Sequence, residues 1–136
     1  MLGWLFLFSC NKSTLVAFPS SLDWGEVDFS LAVPEEGFNP QSVTIRNNGE
    51  SATSAEIYGF DFDHLCLAGF SSVPAEIGDM EPEDEFLLTV GVCDYAPDNG
   101  ERDSTVEGVI EISYEKEILS IPWTFIPVLG LTEDSG

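Results

Sequence analysis

Basic residues are nearly missing from this chain: Lys12, Arg46, Arg102 and Lys116 stand against 25 aspartates and glutamates in 136 residues, for a formal net charge of -21. A surface of that sign repels phosphate backbones and argues against nucleic acid as a partner. It argues equally against electrostatic docking onto anionic headgroups, so attachment to a membrane has to be covalent. Histidine occurs once, at His64, so a zinc centre finds no second imidazole. The chain has no glycine-rich phosphate loop, and no apolar run reaches the roughly 20 residues of a spanning helix. From Asn11 onward no stretch sustains a helical repeat. Self-repulsion among so many carboxylates costs folding free energy, and screening by salt or divalent cations relieves it. The simplest meaning of the charge is a well-solvated surface suited to a saline or extracellular setting.

What is present is enough apolar material to fold. Hydrophobic residues make up 43% and aromatics 12%, which excludes disorder over most of the chain. At the front, Leu5-Phe6-Leu7-Phe8-Ser9-Cys10 is an apolar run ending in a small residue and a cysteine, followed at once by polar Asn11 and Lys12. This resembles the end of a bacterial lipoprotein signal, in which the cysteine is lipidated and becomes the first mature residue. The layout that follows is a signal-like segment over 1–9 and a lipid-attachment site with a short tether or first strand over 10–17. One domain over 18–127 and an acidic tail over 128–136 complete it. With Cys10 carrying lipid, Cys66 and Cys93 remain, either as the disulfide an oxidising compartment favours or as two buried thiols.

Short alternating segments bounded by Pro, Gly, Asn and Asp predict strands at 14–18, 22–27, 42–46, 54–60, 85–93, 106–114 and 118–126. The segment 28–40 reads as a loop, with room for a short strand at 29–33. Over 85–93, Phe86, Leu88, Val90 and Val92 mark one face and Leu87, Thr89, Gly91 and Cys93 the other, the pattern of a half-buried strand. Pro122 interrupts the last strand and donates no ladder bond, which predicts a sheet edge, at least there. The opposite edge, formed by the first strand over 14–18 or its neighbour, should be free to accept a partner strand. About seven strands in this length predict an all-β fold, an immunoglobulin-like antiparallel sandwich.

The turn and strand signals also fall into a family order. Leu22-Asp23-Trp24-Gly25-Glu26-Val27 resembles the opening L-D-F-G-x-V of Hydin-type and major-sperm-protein-like immunoglobulin modules, whose bacterial relatives include choice-of-anchor domains. Val43-Thr44-Ile45-Arg46-Asn47-Asn48-Gly49 is similar to their strand ending in N-x-G. Met80-Glu81-Pro82-Glu83 sits where they carry L-x-P-G, with Glu83 in place of the turn glycine. Tyr95-Ala96-Pro97-Asp98-Asn99-Gly100 resembles F-x-P-x-x-x-G with the glycine one place early, and Glu107-Gly108-Val109-Ile110-Glu111-Ile112 is similar to G-x-L-x-I. The resemblance implies adhesion, scaffolding or surface decoration without catalysis, and a disulfide between cysteines placed like Cys66 and Cys93. A shared sandwich hosts many roles, so function has to be argued from the site.

Few constellations carry chemistry. Asp61-Phe62-Asp63-His64 sets two carboxylates near the lone imidazole, and an exposed loop beside Cys66 accounts for it. Asp79, Glu81, Glu83 and Asp84, followed by Glu85, are the calcium candidates, without the spacing of an EF-hand loop. A solvated turn guarding the strongest strand is the simpler reading. Trp123, Tyr58 and Tyr95 are the aromatics a carbohydrate-binding face would use, although tryptophan more often fills a sandwich core. The expectation is therefore a non-enzymatic, lipid-anchored, extracytoplasmic protein of the outer membrane or cell surface, with no cofactor and a protein partner or envelope assembly. Its alternatives are an accessory subunit of an envelope or extracellular assembly, and a carbohydrate- or calcium-binding domain.

Overall fold

Nine strands follow one another in the computed structural model, which describes residues 14–30, 32–34, 37–94 and 105–128. They are β1 Leu15–Phe18, β2 Leu22–Asp28, β3 Phe38–Asn47, β4 Thr53–Gly59, β5 Leu65–Leu67, β6 Ala75–Met80, β7 Glu85–Val92, β8 Val106–Tyr114 and β9 Glu117–Val128. They form a four-stranded sheet ordered β1-β3-β7-β5 and a five-stranded sheet ordered β2-β9-β8-β4-β6. The described residues contain no helix. The two sheets pack as a sandwich, and period-two alternation decides which side chains fill it. Val43, Ile45, Leu88 and Val90 point inward from one sheet; Ile57, Ile110, Ile112, Ile121, Trp123 and Phe125 point inward from the other. Each such side chain, fully buried, contributes about 1.5–3 kcal/mol of hydrophobic stabilisation.

The chain begins in one sheet and crosses to the other over Pro19-Ser20-Ser21. β1 pairs antiparallel with β3, then β2 pairs parallel with β9. The sandwich is thus not wholly antiparallel, because β2 runs alongside β9 in the same direction. The motif Asp23-Trp24-Gly25 builds the irregularity in β2. Pairing passes from Asp23↔Thr124 to Glu26↔Ile126, so β2 holds one extra residue there. Gly25 absorbs it at φ +65°, and its N–H donates to Asp23 Oδ1 at 2.9 Å. Trp24 stays buried and its Nε1 donates to the carbonyl of Asn39 at 2.8 Å.

Several expectations are corrected. Nine strands replace about seven, the additions being β5 and β6. The segment 29–33 forms no strand among its described residues. Phe29 instead packs edge-on to Phe38 at 5.3 Å and tilts against Phe125 at 6.1 Å. β9 is not an edge strand, since it lies between β2 and β8. Its pairing with β2 starts only at Trp123, so Pro122 stands one residue before that ladder begins.

Candidate functional site

The two outer faces differ in charge. The five strands of one sheet carry nine carboxylates and no lysine or arginine. The four strands of the other carry one of each sign, Arg46 and Glu85, which face each other in register and pair at 3.1 Å. Beside that pair the four-stranded face is uncharged. Phe18, Thr44 and Leu87 form a row across β1, β3 and β7, with Phe18 57% and Leu87 60% exposed. Ser42 and Thr89 lie next along, their hydroxyls 3.5 Å apart.

The five-stranded outer face holds a depression of about 430 Å³. Its floor is the row Leu22, Trp123 and Gly108, whose side-chain positions point inward. Pro122 and Val109 form one wall; Asp23, Thr124 and Glu107 form the other. The Trp123 indole occupies the space a side chain at position 108 would take: a Cβ there would lie 2.6 Å from Cζ2. Trp123 Nε1 is buried with no hydrogen-bond partner among the described residues.

The four sheet edges are unlike one another. β5 is three residues long, and β2 carries an irregularity with Asp23, Glu26 and Asp28. β6 carries Glu76 and Asp79 and shifts register beside Gly78, whose φ is +102°. β1, Leu-Val-Ala-Phe, has neither a charge nor a register shift. Its open donors follow from the pairing parity. Asn48 N donates to the Thr14 carbonyl at 2.7 Å, so residues 14, 16 and 18 direct their hydrogen-bonding groups toward β3. On the next ladder Asn47 N donates to the Asp84 carbonyl at 3.0 Å, which gives the matching alternation in β3. The amides of Leu15 and Ala17 therefore face outward.

Of the residues singled out from sequence, Cys10 and Tyr95 lie outside the described residues. Cys66 and Cys93 are joined as a disulfide, with Cα atoms 5.7 Å apart, tying β5 to the end of β7. His64 lies in the turn before β5 as expected, but its side chain is not exposed: it is 13% exposed and its ring lies 6.1 Å from those of Trp123 and Phe125. Its Nδ1 hydrogen-bonds Asp61 Oδ2 at 2.7 Å, and its carbonyl accepts from the amides of Cys93 and Asp94. The imidazole thus closes one end of the core beside the disulfide.

The calcium candidates do not converge. Asp79 belongs to β6, and Glu81, Glu83 and Asp84 belong to the turn that follows. There Asp84 N donates to the Glu81 carbonyl at 2.9 Å, while Asp84 Oδ2 accepts from Glu81 N at 2.9 Å. Asp84 is spent on holding the turn. Among the described residues no three His, Cys, Asp or Glu side chains are grouped to hold a metal ion. Of the aromatics, Trp123 is in the core and Tyr58 is 57% exposed on β4.

Sequence reasoning missed the contrast between the faces. The signal was available in the strand compositions, but only pairing shows which strands share a sheet.

No family model and no curated protein matches this chain. Among solved structures it is similar to a protein of unknown function from Porphyromonas gingivalis W83, with 13% sequence identity and a TM-score of 0.52. The likeness covers 87% of this chain and 48% of that one, so this chain spans about half the other's length. What the two share is the fold.

Proposed function

We propose that this chain is a non-enzymatic lipoprotein of the cell envelope or surface, anchored through Cys10, whose immunoglobulin-like domain is a protein-interaction module. The observation that carries the reading is the Cys66–Cys93 disulfide. It fits an oxidising compartment, and it uses two of three cysteines, leaving Cys10 directly behind the apolar run. The residues that carry the Hydin-type resemblance do structural work in this sandwich. Gly25 absorbs the extra residue of β2, Asn47 ties the start of β1 and the end of β6 to the turn after β3, and Gly108 makes room for Trp123.

The interaction runs through the β1 edge, which adds a partner strand by main-chain hydrogen bonds. The uncharged, unshifted β1, set against three blunted edges, favours this over the loops. The same edge serves an accessory subunit seated in a larger assembly. The test of the anchor is labelling with a fatty-acid analogue followed by membrane fractionation. Wild type should take the label and sediment with membranes, and Cys10→Ser should release an unlabelled soluble domain. An unlabelled wild type found wholly in the soluble fraction sinks the reading.

A further inference from the structure

Thr14 opens the described chain, four residues after Cys10, so an anchoring bilayer lies within at most about 14 Å of it. Two surfaces adjoin Thr14. One is the end of the sandwich, where the turns after β3, β6 and β8 meet. Those turns carry Glu50, Glu81, Glu83, Asp84 and Glu115, with Lys116 the single cation on them. The other is the outer face of the four-stranded sheet, which begins at β1 itself.

We infer that this second surface, the face of Phe18, Thr44 and Leu87, lies flat against the bilayer; the inference rests on the lipid anchoring proposed above. End-on contact would press the five carboxylates of these turns onto anionic headgroups. Side-on contact presents two exposed apolar side chains, three hydroxyl-bearing ones, and one glutamate already paired with Arg46. Val16 extends the apolar edge of this face along β1. The acidic sheet then stands off by the thickness of the sandwich. Sheets pack about 10 Å apart, which exceeds the Debye length of about 8 Å at physiological ionic strength, so its carboxylates are largely screened from the headgroups. The covalent anchor makes the contact intramolecular, so a modest apolar patch suffices to set orientation. The depression between Pro122 and Asp23 would consequently point away from the membrane, and the β1 edge would lie open at the side of the contact.

The experiment uses the full lipidated chain in vesicles of phosphatidylethanolamine and phosphatidylglycerol. A fluorophore is attached at Leu87→Cys or at Val109→Cys, an exposed position on the opposite sheet. A quencher carried on lipid tails should remove the signal at Leu87→Cys and leave that at Val109→Cys. Phe18→Glu should restore the Leu87→Cys signal while the protein still floats with vesicles. Floating, lipid-labelled protein that is quenched alike at both sites overturns the orientation and leaves the anchor standing. A chain that takes no fatty-acid label and does not float overturns both. Shielding of Leu87→Cys that is independent of the quencher and accompanied by a doubled mass in detergent assigns the face to a second copy, and overturns the inference.

Discussion

At Asn47, main-chain groups from three separate segments meet one fully buried side chain. Its Nδ2 donates to the carbonyls of Ser51 at 3.0 Å and Met80 at 2.9 Å. Its Oδ1 accepts from Gly49 N at 2.9 Å and Thr14 N at 3.4 Å. No other side chain supplies two donors and an acceptor at this length. Asn47→Asp would turn a carboxylate toward two carbonyls, and Asn47→Ala would strand them. Each stranded buried group costs about 1–3 kcal/mol, so Asn47→Ala should lose about 3 kcal/mol in a denaturant titration. A loss under 1 kcal/mol would mean that water replaces the amide. Glu83 is the opposite case. It follows Pro82 in a turn closed by the Asp84 N to Glu81 O bond and adopts φ +75°, the left-handed region in which glycine is at ease. Relief of the left-handed cost, about 1–2 kcal/mol, outweighs the roughly 0.5–1 kcal/mol of unfolded-state entropy that glycine adds. Glu83→Gly should therefore stabilise the fold by about 0.5–1 kcal/mol, and a lowered melting temperature would count against this account. Gly108→Ala should destabilise, because the displaced atom is the Trp123 ring; overpacking of this kind costs about 1–3 kcal/mol.

At the scale of strands, the open donors of β1 separate binding from folding. Val16 directs its amide to β3, so Val16→Pro removes a ladder bond and should lower stability by about 1 kcal/mol. Ala17 directs its amide outward, so Ala17→Pro should leave the thermal melt nearly unchanged while abolishing retention of a partner strand. Retention undiminished in Ala17→Pro, with the fold intact, would move recognition to the loops. The strands most legible in the sequence were those with long alternation and one wet face. β8 was read at its full length, and the inward sets of β3, β7 and β9 agree with their patterns. β5 escaped because Leu65-Cys66-Leu67 is too short to display a period. β6 escaped because Gly78 and two acidic residues break its alternation. The place of Pro122 was legible only locally. Proline forbids a donor at one residue, and the strand becomes internal as soon as that residue is passed. The burial of His64 was missed because nothing in a four-residue window reveals that Trp123 and Phe125 close over it.

At the scale of the molecule, the chain carries a charge of -21, and among the described residues the carboxylates are not clustered into a metal site; distributed and clustered charge make different demands on salt. Distributed repulsion is relieved by any ion according to ionic strength alone, with most of the effect gained as the Debye length falls from about 30 Å at 0.01 M to about 10 Å at 0.1 M. A calcium site would instead saturate at a fixed stoichiometry and give a gain that sodium does not reproduce. The melting temperature should therefore climb with sodium chloride, and calcium at matched ionic strength should add little beyond nonspecific screening. The five-stranded face sharpens the test. Glu107 and Asp23 flank Thr124 there with no cation on any strand of that sheet, so Glu107→Lys replaces a repulsion by an attraction. It should raise the melting temperature at low salt, and the gain should fade at high salt. Leu87→Lys on the other face has Arg46 and Glu85 as its nearest charges, which offset one another, so its smaller gain should depend less on salt. Equal gains at both positions would mean that net charge alone governs stability and that the contrast between the faces has no energetic weight. A saturable rise with calcium that sodium does not reproduce would restore a specific site, with the turn at Glu81, Glu83 and Asp84 the first place to mutate.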